Sequence, residues 1–153
     1  MLRLMRALES LAIALWAGGL WVVGFLVAPL LFRSAPDRQI AGDLAGTMFT
    51  AMSFVGLGCA AVVLCARVTE AGTRALKQAV FWVALLMIAL ILAGQFGVQP
   101  ILAGLKEQAL PRQVMESVFR DRFATWHGVA SVLYVIQSVL AGGLVLLSGR
   151  KGR

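Results

Sequence analysis

The chain is short of charge. Only 14% of its 153 residues are Asp, Glu, Lys or Arg, and 60% are hydrophobic. Soluble domains carry about a quarter charged residues and about half apolar ones. With a mean hydropathy of +0.87, so little polar surface cannot cover a soluble globule, and lipid must cover the rest.

Cysteine is scarce too. Cys59 and Cys65 stand in one apolar run, and at that spacing on a helix they lie about 120° from aligned. That geometry argues against a disulfide or a shared metal and leaves them as small packing residues. His127 is the only histidine, too few for zinc, which takes about four protein ligands in structural sites and about three in catalytic ones. The chain also has no phosphate loop and no G-x-S-x-G, H-E-x-x-H or C-x-x-C signature. Aspartate and glutamate are missing from the central parts of the apolar runs, so a carboxylate-lined proton path has nothing to run on. These absences point away from an enzyme and from a metal site. The net charge of +7 comes without a basic stripe interleaved with aromatics, which argues against nucleic acid.

What is present is four apolar runs, at 7–32, 44–66, 79–98 and 125–148. Each is long enough to cross the hydrocarbon core as a helix, the form that satisfies its own backbone in lipid. The expected fold is an all-α, antiparallel four-helix bundle in a membrane, one domain over 1–153, with no internal repeat. The first run continues too far for a signal peptide and reads as an uncleaved helix. Short segments with Arg3, Arg6, Arg67, Arg74, Lys77, Arg150, Lys151 and Arg153 fall on one side. Longer loops of mixed charge fall on the other. This places both termini in the cytoplasm. The outer loop, 99–124, is expected to hold an amphipathic helix from Pro111, with Val114, Met115, Val118, Phe119 and Phe123 on one face.

Polar residues at membrane depth are few. His127, Ser131, Tyr134 and Ser138 share an arc of about 60° on the fourth helix, with Gln137 about 60° beyond its edge. Gln95 and Gln99 stand one turn apart on the third helix, and Thr50 and Ser53 lie on the second. Such groups serve as interhelical glue. They can equally form a site: a solute pocket, a pore lining in an oligomer, or a haem or metal ligand at His127. Gly18, Gly19, Gly24, Gly42, Gly46, Gly56, Gly142 and Gly143 let backbones approach, within the bundle or in a homo-oligomer. Pro29 should kink the first helix.

The runs LWAGGLWVVGFLVAPLLF (Leu15 to Phe32), AGDLAGTMF (Ala41 to Phe49), GQFGVQPILAGLK (Gly94 to Lys106) and FATWHGVASVLYVIQS (Phe123 to Ser138), in this order, resemble the DUF4149 family, whose function is unknown. The resemblance implies a four-helix protein of the bacterial inner membrane with no settled activity. The pattern positions are Trp16, Gly19, Pro29, Phe32, His127, Gly128 and Ser131. More distantly the first helix is similar to those of CopD-type copper-resistance proteins and HemJ-type oxidases. Those families use further intramembrane histidines or a lysine that this chain lacks, so neither copper nor haem chemistry carries over. The expected role is that of a scaffold, accessory or solute-handling protein without a cofactor, with a haem- or metal-linked redox protein and an oligomeric transporter as alternatives.

Overall fold

The computed structural model describes residues 2–110 and 113–149. Among these, every regular element is helical. Helix α1 (Leu2–Trp21) runs through a π-helical stretch (Val22–Val27) into α2 (Ala28–Ser34). Helix α3 covers Arg38–Ala71 and ends in a 3-10 turn, Gly72–Lys77. Helix α4 (Ala79–Leu92) passes through a second π-helical stretch (Ala93–Val98) into α5 (Gln99–Ala109). A 3-10 turn at Val114–Glu116 precedes α6 (Arg120–Gly149). Four continuous spans result: Arg3–Ser34, Arg38–Lys77, Ala79–Ala109 and Arg120–Gly149, each long and apolar enough to cross a membrane. The protein is a multi-pass membrane protein. The shortest span has 30 residues and reaches about 45 Å, past a hydrocarbon core of about 30 Å, so its ends stand among headgroups.

All the spans outrun the apolar windows in the sequence, because polar turns continue a helix wherever its end is capped. The Asp37 carboxylate accepts the Gln39 N–H at 2.8 Å and starts α3 six residues before the apolar run at 44. Gly72, at φ +54°, ends it. Arg67, expected in the link between the second and third helices, therefore lies inside α3. The third span was expected to end at Val98 but continues to Ala109, because Pro100 stands in the first turn of α5, where its missing N–H is not needed.

The outer loop contracts accordingly, and the amphipathic helix expected there does not form among the described residues. Its proposed start, Pro111, and Arg112 lie outside them, as do the tail residues Arg150, Lys151 and Arg153. What is described is one 3-10 turn, then Ser117 in an extended conformation. The Ser117 hydroxyl donates to the Val114 carbonyl at 2.8 Å and accepts the Phe119 N–H at 3.1 Å. This local bonding competes with a helix through the segment, and Val118 is left 92% exposed.

The spans pack in a square, 1 against 2, 2 against 3, 3 against 4 and 4 against 1. The core fills the half nearer the N-terminus: Ile13, Trp16 and Leu20 meet Met52, Cys59, Ala60 and Val63, with Val80, Ala84, Met87 and Ile91 opposite and Ala141 and Leu144 closing the ring. Glycines seat the large side chains. A Cβ on Gly56 would fall 2.7 Å from Trp16 Nε1, and one on Gly19 would fall 2.7 Å from the Met52 sulfur. At the same end Arg67 donates to the Glu9 carboxylate and, at 3.1 Å, to the Gln78 side-chain oxygen. The two charged side chains are 3% and 7% exposed, and their mutual neutralisation is what makes that depth tolerable.

The far half is different. Span 1 buries nothing beyond Leu20, and span 4 buries nothing before Gln137 among the described residues. There, extensive backbone packing runs within each hairpin, span 1 on span 2 and span 3 on span 4, rather than between hairpins.

Candidate functional site

The site begins where spans 1 and 4 last touch. The Tyr134 hydroxyl donates to the Leu20 carbonyl at 2.7 Å, and its ring lies against Gly24. The phenol thus bonds a backbone carbonyl of span 1 just ahead of its π-helical stretch. Only glycine fits there, since a Cβ at position 24 would fall 2.3 Å from the Tyr134 ring. The ladder widens to the π pattern from Val22, and the Ala28 N–H bonds the Val23 carbonyl five residues back. Pro29 follows without a donor of its own. Phe49 of span 2 stands edge-on to the Tyr134 ring at 4.8 Å.

A second tie runs the other way. Trp21 Nε1 donates to the Ser138 carbonyl at 3.0 Å, its ring resting on Gly142. The Ser138 hydroxyl, buried, turns back to the Tyr134 carbonyl at 2.9 Å. Tyr134 and Ser138 therefore lie on the face of span 4 that meets span 1.

Ser131 and His127 lie on that same face, about one and two turns further out than Tyr134. Both are exposed. The His127 ring stacks on Phe123 at 5.9 Å and 13°, and the Ser131 hydroxyl donates to the His127 carbonyl at 2.9 Å. Beyond the Tyr134 and Trp21 ties, span 1 no longer covers span 4, and the polar stripe opens into a seam. His127 lies about 10 Å along the axis from Arg120, at the depth where headgroups meet hydrocarbon. The seam offers an imidazole and hydroxyl oxygens, donors and acceptors without a fixed charge.

The other expected residues lie apart from this seam. Gln95, inside the second π stretch, and Gln99 are half-buried on span 3. Of the pattern positions, Trp16 is in the core at 1% exposure and Gly19 is under Met52. Pro29 is in the first turn of α2, Phe32 is outward-facing at 46%, and Gly128 has open space where a side chain would be. No group of three or more His, Cys, Asp or Glu that could hold a metal occurs among the described residues.

Two polar features escaped the sequence reading. The Glu9–Arg67–Gln78 cluster was signalled by a carboxylate inside an apolar run, but its partners lie on span 2 and in the link before span 3. The buried Trp16 indole N–H has no hydrogen-bond partner among the described residues, whereas Trp21 and Trp82 both donate to backbone carbonyls.

The sequence model of a family described as Domain of unknown function (DUF4149) matches residues 11–111. That range covers span 1 from residue 11 on and all of spans 2 and 3, and stops short of His127. No curated protein and no solved structure matches the chain.

Proposed function

For a chain that belongs to the DUF4149 family, we propose a non-enzymatic, solute-handling role: the seam between spans 1 and 4 receives the polar head of a small uncharged amphiphile from the bilayer. One observation carries this reading: His127 and Ser131 are exposed on the same helix face on which, further in, span 1 accepts the Tyr134 hydroxyl and donates to the Ser138 backbone carbonyl. A polar face open toward hydrocarbon is costly, and a ligand that hydrogen-bonds there lowers that cost. An amphiphile suits the place, since its tail stays among lipid while its head reaches the interface.

The proposed setting is a bacterial inner membrane. The N-terminal end, with Arg3, Arg6, Arg74 and Lys77, faces the cytoplasm, and the seam faces outward. Gly46, Gly58 and Gly143, with nothing packed on them, leave helix faces free for a homo-oligomer.

The test is thermal unfolding in maltoside detergent with added monoolein. Wild type should be stabilised in proportion to ligand, because only the folded state binds. His127→Ala/Ser131→Ala should lose that response while keeping its ligand-free Tm. An equal response in both proteins would refute the seam as the site.

A second reading places a haem or metal on His127, whose side chain has no hydrogen-bond partner among the described residues. An absorbance spectrum and elemental analysis of the purified protein and of His127→Ala decide it. A Soret band or stoichiometric metal lost in the variant supports it, and a colourless, metal-free wild type removes it.

A further inference from the structure

Contrary to the expectation of no internal repeat, spans 1 and 3 carry the same break. Each has a six-residue π-helical stretch, Val22–Val27 and Ala93–Val98. Each is followed at the second residue by a proline, Pro29 and Pro100, within the same pattern, Phe-x-Val-x-Pro. Aligning the prolines lays Ile13 on Ala84, Trp16 on Met87 and Leu20 on Ile91, all of them buried. It also lays Arg3 on Arg74 and Arg6 on Lys77. The chain is thus two hairpins of one plan, spans 1–2 and 3–4. Exchanging the hairpins turns the seam between spans 1 and 4 into the seam between spans 3 and 2.

The two seams are not in the same state. The one between spans 2 and 3 is held shut by side-chain ties. Lys106 reaches Asp43 at 2.6 Å, and the Gln113 amide donates to the Asp37 carboxylate at 3.3–3.4 Å. The one between spans 1 and 4 lacks any such tie beyond Tyr134 and Trp21 among the described residues, and the arm of span 1 beyond Leu20 buries nothing.

We propose that the arm Val22–Ser34 is a gate: it swings about its π-helical stretch and Pro29 to close over His127 and Ser131, at the end where side-chain ties already hold the other seam. A π-helical stretch ahead of a proline is a weak point in the ladder where a helix bends. The Tyr134 and Trp21 ties, just inside it, hold the pivot. The gate controls the seam assigned above to a ligand, and so rests on that reading for what it admits, though not for the motion itself.

The experiment is pulsed electron–electron resonance in phosphatidylcholine nanodiscs, in a Cys59→Ala/Cys65→Ala background. Labels at Ser34→Cys and Thr125→Cys span the open seam, and labels at Gln39→Cys and Gln108→Cys span the shut one. All four native residues are exposed. The open seam should give two distance populations and the shut seam one. Pro29→Ala, which restores a backbone donor, should merge the two populations, and Asp43→Asn should broaden the shut pair alone. A single narrow distance across the open seam in the unsubstituted proline background overturns the gate, whether or not Pro29→Ala folds. Monoolein separates the two ideas. Two populations that monoolein leaves unchanged keep the gate and count against the ligand. A single population in a protein that monoolein still stabilises through His127 does the reverse.

Discussion

At the scale of single residues, spans 1 and 4 are tied by two polar bonds made to backbone, from Tyr134 to the Leu20 carbonyl and from Trp21 to the Ser138 carbonyl. Tyr134 is the clearest. In Tyr134→Phe the ring and its Phe49 contact remain while the bond to the Leu20 carbonyl is lost. Thermal unfolding should show a loss of about 1 kcal/mol, the scale of an interhelical hydrogen bond in a membrane. Gly24→Ala should cost more, about 1–3 kcal/mol, because the new methyl meets the phenol ring and one of the helices must shift. The Glu9–Arg67 pair makes a sharper prediction. Glu9→Leu leaves a buried guanidinium with Gln78 alone and should destabilise by about 3–5 kcal/mol, while Glu9→Leu/Arg67→Leu should recover most of that loss. A double variant as unstable as the single one would mean that Arg67 has satisfaction elsewhere.

At the scale of elements, the ends of the spans depend on caps. Asp37 starts α3 and also receives Gln113 from the far segment. Asp37→Ala should cost about 1 kcal/mol and speed hydrogen exchange at the first amides of α3, with the buried middle of that helix unchanged. The Lys106–Asp43 pair is 40% and 56% exposed, so Asp43→Asn should shift stability by less than about 1 kcal/mol. Its consequence lies in which way the hairpins sit at the far end. The sequence led to an expected kink at Pro29, and what the structure has just ahead of that residue is a π-helical stretch. The sequence did not show that Pro100 stands in an equivalent break. Periodicity cannot register a π-helical turn, because one inserted residue merely shifts the apolar face.

At the scale of the whole molecule, the proposed orientation follows from the basic residues at one end. Cysteines introduced at Thr73 and at Gln108, both exposed at opposite ends, provide the check with a membrane-impermeant maleimide on intact cells. Position 108 should label and position 73 should not, and the reverse pattern would invert the topology. Four helices and their membrane setting were legible in the sequence, because run length and hydropathy are local properties fixed by the thickness of a bilayer. The polar stripe of span 4 was legible for the same kind of reason, since helical spacing alone puts His127, Ser131, Tyr134 and Ser138 on one face. The sequence by itself thus determined the number of spans and their lipid environment. Which part of the stripe is glue and which part is open was decided only by the tertiary structure. Span 1 covers Tyr134 and Ser138 and then departs, just past a bond from the phenol of one helix to a backbone carbonyl of another. Contacts between residues far apart in the chain leave no periodicity to read. The same holds for Arg67, basic enough in sequence to suit a link between helices, which only its distant partner Glu9 allows to be buried.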